Sequence, residues 1–325
     1  MDAVTARNPG AAAGAEGAEG AEGARNVASP ANSEPVAGTL PVQALLDFYA
    51  AHARTLPWRD RPADPWAVLV SEVMLQQTPV IRVLPVYAEW LARWPRPADL
   101  AGESPAAAIR AWGRLGYPRR ALRLHDAART ITAEHGGRVP EDLAALRALP
   151  GVGEYTARAV AAFAFGARVP VIDTNVRRVL SRIVRGRDSV REPATAADRQ
   201  ELAALLPAEP AVAARFSVAL MEFGALVCTA TAPRCPDCPV RDRCAWLRAG
   251  SPAATPRRAA QAWAGTDRQV RGRILATLRA GADALDLEVV RTAAGSHDEQ
   301  VDRCLTSLAR DRLVVVIGDR IALPD

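Results

Sequence analysis

Lysine is absent from this 325-residue chain: all 41 of its Lys+Arg residues are arginine. No side-chain amine is therefore on hand to form a Schiff base with a substrate carbonyl. Long apolar runs are missing too. The longest nearly apolar stretch, Ala159 to Ala167, stops at Arg168, far short of the roughly 20 residues a membrane-spanning helix needs. The N-terminus has no basic start followed by an apolar run, which argues against export. Cysteine is scarce and odd in number, and four of the five crowd into Cys228–Cys244. A disulfide framework is disfavoured, and a metal or cluster site in a reducing cytoplasm is expected instead.

What is present suits a folded chain. Apolar residues make up 49% of the sequence, ample for a packed core, and the length fits two domains. The formal charge of +5 is unevenly spread. Residues 1–38 hold Asp2, Glu16, Glu19, Glu22 and Glu34 against Arg7 and Arg25, so the remainder carries +8. Arginine forks bind phosphate in a bidentate way, which makes nucleic acid a candidate partner; an Ala- and Arg-rich genome would give the same count.

Organisation follows from composition and periodicity. A Gly-Ala-Glu triplet repeats through Gly14–Ala24, so residues 1–38 are expected to be a disordered tail. From Pro41 the pattern is helical, with Val42, Leu45, Leu46 and Tyr49 on one face. Further helices are expected at 65–76, 80–94, 105–112, 119–135, 141–148, 154–165, 174–185, 195–206 and 210–226, separated by Pro or Gly. Residues 39–250 thus read as one mainly α domain, and 251–264, with two prolines by Arg258, as a linker. Helix-like runs at 267–280 and 297–310 precede Leu313–Ile317, Gly318-Asp319 and Arg320–Leu323, a hairpin signal. Residues 265–325 are expected to form a small winged-helix-like module.

Three features carry chemistry. The first is Cys228-x6-Cys235-x2-Cys238-x5-Cys244. Four cysteines without a histidine suit a cubane iron–sulfur cluster; zinc is the rival, but structural zinc usually takes two close Cys-x-x-Cys pairs. Cys304 lies outside the set and reads as a core residue of the last module. The second is Leu149-Pro-Gly151-Val152-Gly153 between two helices. Its glycines allow close backbone approach to a phosphate at the next helix's N-terminus, or else simply end a helix. Twenty residues on, Asp173 opens another helix in Ile172-Asp173-Thr-Asn175, where an acid can also be an ordinary N-cap. The third is Glu72 in Glu72-Val-Met-Leu-Gln76-Gln77-Thr78. An acid among apolar helical residues, if desolvated, has a raised pKa and can hold a proton for delivery.

Together these motifs resemble the endonuclease III-like, helix-hairpin-helix DNA glycosylases. Within them, Glu72-Val-Met-Leu-Gln-Gln-Thr, Leu56-Pro-Trp58-Arg59 and Ile172-Asp-x-Asn-Val-x-Arg-Val-Leu resemble the MutY-type adenine DNA glycosylases over residues 40–247. The resemblance implies a two-lobed helical fold: a six-helix barrel near 66–172, and a second lobe combining 40–60 with 173–248 around a [4Fe-4S] cluster held by Cys228, Cys235, Cys238 and Cys244. Double-stranded DNA with an adenine mispair would lie across the cleft, its adenine flipped inward. By the same resemblance Glu72 protonates the adenine ring and Asp173 stabilises the oxocarbenium-like sugar, assisted by Tyr155 and Asn175. Trp58 and Arg59 match adenine-pocket residues, Gln77 and Tyr117 match residues that wedge into the base stack, and Gln76 and Thr78 lie near the opposite base. Gly151, Val152 and Gly153 would hold a DNA phosphate. The implied enzyme is a monofunctional, monomeric glycosylase of a bacterial nucleoid, acting on adenine opposite 8-oxoguanine or guanine in base excision repair.

Tyr155 stands where relatives that cut the strand carry a catalytic lysine, so efficient lyase activity is not expected. Thymine removal from G:T mispairs, and a non-catalytic DNA-binding role, are the alternatives. Two departures from the family matter. Residues 265–325 are too short for the Nudix-like domain that inspects 8-oxoguanine in many members, and Ser296 of Ser296-His297 reads as an N-cap rather than a base reader. Val218 stands where relatives often place a polar residue facing the base.

Overall fold

Prolines and short polar caps set where the helices begin. The computed structural model describes residues 40–59, 63–188, 193–252, 263–281 and 283–325. The Gly-Ala-Glu tail and most of the 251–264 segment lie outside the described residues. In chain order come α1 (Val42–His52), a 3-10 turn (Pro57–Arg59), α2 (Pro65–Leu75), α3 (Val80–Arg93), α4 (Pro97–Ala101), α5 (Pro105–Trp112), α6 (Arg119–Glu134), α7 (Leu143–Ala148), α8 (Glu154–Phe165), α9 (Thr174–Ile183), α10 (Ala196–Leu205), α11 (Pro210–Leu226) and α12 (Ala245–Arg248). Then follow α13 (Asp267–Ala280), β1 (Leu285–Asp286), α14 (Leu287–Ala294), α15 (Asp298–Arg310), β2 (Val315–Ile317) and β3 (Arg320–Ala322).

The boundaries have local causes. Asp64 accepts the Trp66 amide at 2.9 Å in front of Pro65, the first residue of α2. Asp142 and Thr195 are caps rather than first-turn residues, so α7 and α10 start one or two residues later than apolar periodicity suggests. α4 was not legible because five residues are too few for a helical period. α14 was missed because the apolar run around it divides, Leu285-Asp286 pairing as a strand and Leu287 beginning a helix. Ser296 is not the cap of α15: that position falls on His297, and the Ser296 hydroxyl donates to the Gln300 side chain one turn on.

Three cores result. The first gathers apolar residues from Trp66 to Ala161 and makes the barrel lobe. Aromatics are few in the sequence but concentrated here: Trp90 meets Trp94 and Trp112 edge-on, with centroids 4.7 and 5.7 Å apart. The second core joins Leu40 and Leu45 to Ile172–Ile183 and to residues from Leu202 through Cys244. The chain's start and its Cys-rich end therefore share one lobe, and the active cleft opens between the two. Ala159 and Ala162 of α8 meet Val171 and Ala214 in a small cluster that ties the lobes together.

The third core belongs to the C-terminal residues but is not theirs alone. Val270, Ile274, Val301, Leu305 and Ile321 pack with Ala106 and Ile109 of α5 and Leu122 of α6. Its sheet has the order β1-β3-β2, antiparallel throughout, with Val316 opposite Ile321. Helix, strand, two helices and a hairpin is the element order of a winged helix. Cys304 is buried in this core, as its isolation in sequence implies.

Candidate active site

A cavity of about 1320 Å³ lies between the lobes. Its lining includes Trp58, Arg59, Glu72, Gln76, Gln77 and Thr78. Gly151, Gly153, Tyr155, Asp173, Asn175, Val218 and Glu222 line it as well. Glu72 and Asp173, far apart in sequence, are thus brought to one place. Val152 and Tyr117 are not among the lining residues: Val152 is buried as an anchor of the turn, and Tyr117 stands exposed on the adjoining loop.

Two carboxyls face each other in the floor with different surroundings. Glu72, on α2, is buried with its pKa raised to about 7, chiefly by desolvation and further by Asp173. A hydrogen bond from Tyr155 and the charge of Arg59 oppose that rise. Asp173 is also pushed upward by burial, but it sits at the N-cap of α9. Its Oδ1 accepts the Val176 amide at 2.7 Å and its Oδ2 accepts Asn175 Nδ2 at 2.8 Å. N–H donors favour the charged form, so Asp173 is the carboxyl equipped to stay ionised and Glu72 the one equipped to hold a proton. Asp173 is both an ordinary helix cap and a member of the cleft. Tyr155, burial having raised its pKa well above the usual, keeps its phenolic proton.

Behind Asp173 a chain of contacts runs to the Cys-rich loop. Arg178 Nη2 donates to Asn175 Oδ1 at 2.8 Å and to Gly224 O at 2.6 Å, and its Nε donates to Cys228 O at 2.6 Å. Gly224 is needed for this approach, since a Cβ there would lie 2.8 Å from Asn175 Cβ. On the opposite wall, Glu222 of α11 is fully buried and accepts Arg54 Nε and Arg59 Nη2, each at 2.7 Å. Burial alone would raise its pKa; the two guanidiniums outweigh that and hold it at about 2. Arg59 is thereby fixed beside Trp58, whose ring meets Tyr87 edge-on at 5.2 Å.

Arg120 joins the two loops nearest the mouth. Its Nη1 donates to Val73, Met74 and Gln76 carbonyls at 2.7–3.0 Å. Its Nη2 reaches Thr78 Oγ1 at 2.9 Å and Gly116 O at 3.1 Å. Gln77 and Tyr117, on the loops so joined, have φ of +54° and +46°. Non-glycine residues seldom adopt such values, and strain of this kind gathers at functional sites.

The Gly-Val-Gly turn divides its labour. Gly151 has φ +79°, and a Cβ there would lie 2.6 Å from Arg123 Cβ, so the fold itself requires glycine. Gly153 has an ordinary φ of −88° and open space where a Cβ would stand. It caps α8, whose first residues, Glu154, Tyr155 and Thr156, line the cleft with it.

Glu222, Arg54, Arg120 and Arg178 did not stand out in the sequence. Glu222 carried a signal all the same: an acid in Val218–Leu226, amid apolar helix, needs a buried cation as much as Glu72 needs a proton. The arginines were lost among 41.

The four cysteines line one small pocket with Arg182 and Trp246. Arg182 Nη1 donates to Cys228 Sγ at 3.5 Å, and Arg182 also lies over the Trp246 ring. Among the described residues, no three of His, Cys, Asp or Glu converge as for a single ion. Four thiols around one pocket, with no histidine among its lining residues, are a donor set whose chemistry fits an iron–sulfur cluster.

Fold, cleft and Gly-Val-Gly turn define the helix-hairpin-helix class of base-excision proteins, and residues 70–204 match the model of the HhH-GPD superfamily base excision DNA repair proteins. The chain belongs to the adenine DNA glycosylase family: it is 51% identical over 282 residues to the adenine DNA glycosylase of Mycobacterium tuberculosis, covering 86% of this chain and 92% of that one. The adenine DNA glycosylase of Homo sapiens is 42% identical over 211 residues, covering 62% of this chain and 38% of the human one. Among solved structures, a thermostable thymine-DNA glycosylase superposes with a TM-score of 0.58 at 27% identity, covering 64% of this chain and 95% of that chain.

Proposed function

We propose that this chain is a monofunctional adenine DNA glycosylase that hydrolyses the N-glycosidic bond of adenine mispaired with 8-oxoguanine or guanine in duplex DNA, acting as a monomer on the chromosome in the cytoplasm. The observation that carries the reading is the pair Glu72 and Asp173 in one cleft, the first with a pKa of about 7 and the second held by N–H donors.

The steps follow from those surroundings. An adenine flipped into the cleft lies against Trp58 and Arg59. Glu72 gives its proton to a ring nitrogen, so the cationic base accepts the electron pair of the breaking C1′–N bond and leaves as neutral adenine. The Asp173 carboxylate faces the positive charge that develops on the sugar, steadied by Asn175, while Tyr155 holds the Glu72 carboxyl in place. Water adds to C1′, and its proton returns to Glu72. No side-chain amine can then open the sugar through an imine, because lysine is absent and Tyr155 stands in the cleft with a hydroxyl instead. Backbone amides at Gly153 receive a DNA phosphate, and Gln77 and Tyr117 occupy the stack that the adenine leaves, with Gln76 and Thr78 beside the opposite base.

Cys228, Cys235, Cys238 and Cys244 would hold a [4Fe-4S] cluster. When bound, the cluster would pin the loop 228–244 to the lobe that carries Asp173.

A single-turnover assay tests the reading, with adenine opposite 8-oxoguanine, adenine opposite guanine and thymine opposite guanine, each read before and after alkali. Strand cleavage only after alkali, fastest for adenine opposite 8-oxoguanine, is expected. Faster loss of thymine, or cleavage without alkali, would overturn it. Asp173→Asn should abolish base release and leave duplex binding intact.

A further inference from the structure

The C-terminal module is built onto the loop that carries Tyr117. That loop, residues 113–118, is bracketed by α5 and α6, and both helices contribute to the module's core through Ile109 and Leu122. Polar contacts repeat the attachment at both ends. The Ala106 amide donates to Pro324 O at 2.8 Å, and Arg279 Nε donates to Ile109 O at 3.0 Å. Arg119, the first residue of α6, pairs with Asp311 at 3.2 Å.

This docking brings the first turn of α13 over Tyr117. Arg268 lies 5.8 Å from the Tyr117 ring centroid and 5.3 Å from that of Trp263. Arg120 also lies against Tyr117, 5.6 Å from the same ring. Tyr117 and Trp263 remain 48% and 53% exposed, and Arg268 is exposed with them. The result is a surface stack of two aromatics and a guanidinium, joined through Arg120 and Thr78 to the mouth of the cleft. Stability does not call for it, because an exposed cation–π contact contributes little to a fold. Its chemistry suits nucleic acid: aromatic faces take bases, and a guanidinium takes a phosphate while stacking on a ring.

We propose that the C-terminal module is a DNA-contacting element of this protein, in which Arg268 and Trp263 hold the duplex backbone and adjoining base where Tyr117 enters the stack. The inference rests on the reading of Tyr117 as a wedge given under Proposed function. It assigns the module a role in gripping DNA beside the mispair, from the barrel side of the cleft.

The test uses the full chain and three variants, R268A, W263A and Y117S. R129A serves as a control, since Arg129 is an exposed residue of α6 that loses the same charge about 15 Å along the helix. Affinity for a duplex bearing a stable abasic analogue is measured across salt concentrations, with 2-aminopurine beside the lesion to report unstacking. R268A should bind about tenfold more weakly, with a log–log salt slope shallower by about 1. W263A should lose affinity and 2-aminopurine signal at unchanged salt slope, and R129A should match the parent. All variants should melt within a few degrees of the parent. Parent-like binding by R268A and W263A, while Y117S loses both affinity and unstacking, would overturn this inference alone. A loss in R268A no greater than in R129A would overturn it as well. If Y117S also binds and unstacks like the parent, the wedge reading falls and takes this inference with it.

Discussion

Tyr155 donates its phenolic hydrogen bond to Glu72, and that single contact joins α8, the helix after the Gly-Val-Gly turn, to the one buried acid of α2 whose pKa sits near neutrality. The two residues are far apart in the chain, yet on the proposed mechanism the bond would place the proton that leaves with adenine under the control of the element proposed to receive a DNA phosphate.

Base release should therefore fall as pH rises through about 7, where Glu72 loses its proton. Glu72→Gln should remove that dependence and slow base release by roughly a hundred- to ten-thousand-fold, as loss of a general acid does. The stability of the parent should fall over the same range. A carboxyl whose folded pKa is raised supports the fold fully below its unfolded value and ceases to do so as pH climbs through the folded one. For Glu72 that window runs from 4.5 to about 7, so the Gln variant should gain on the order of 3 kcal/mol relative to the parent above pH 7. Thermal melts of both proteins at pH 5 and pH 8 check this; a constant difference would show that Glu72 titrates normally.

Glu222 predicts the opposite slope. Its folded pKa of about 2 lies below the ordinary 4.5, so its contribution is present above the ordinary value and lost as pH falls toward 2. Glu222→Gln strips the counter-charge from Arg54 and Arg59 and should cost about 3 kcal/mol, the low end for a broken buried pair because Arg54 reaches solvent. Urea melts at pH 7 measure it. Glu222 also shows why part of the site was hidden in the sequence. Helices announced themselves locally, through Pro65, Pro105 and Pro210 and the caps Asp64, Ser104 and Glu209 before them. The Glu222 cluster depends on partners 163 and 168 residues away, and no spacing along one chain segment encodes that meeting.

The two glycines of the turn should part company on substitution. Gly151→Ala meets both a left-handed φ and Arg123, and should lower stability by roughly 1–3 kcal/mol. Gly153→Ala meets nothing within the protein, so its melting temperature should hold while duplex affinity falls. Equal affinities for Gly153→Ala and parent would leave the turn without a role in phosphate approach. Sequence alone could not separate these glycines; the difference lies in backbone angle and in Arg123 of a different helix.

Cys238→Ser should abolish the visible absorption of an iron–sulfur cluster. A variant that keeps the spectrum, or parent protein that carries zinc and no iron on elemental analysis, would reject the ligand set. The spacing of the cysteines made the set legible, and the shared pocket with Arg182 adds what spacing lacked, a guanidinium already directed at one sulfur.

The hub at Arg120 has a consequence for how lesions are sought. With Gln76, Thr78 and Gly116 bound to one buried guanidinium, the two loops cannot yield separately when they meet a duplex. On the proposed reading the DNA would then be the more compliant partner. A base pair that stacks poorly deforms at lower cost than a sound one, so a stiff probe sorts sites by their mechanics before any base is read. Discrimination would then begin with the softness of the double helix.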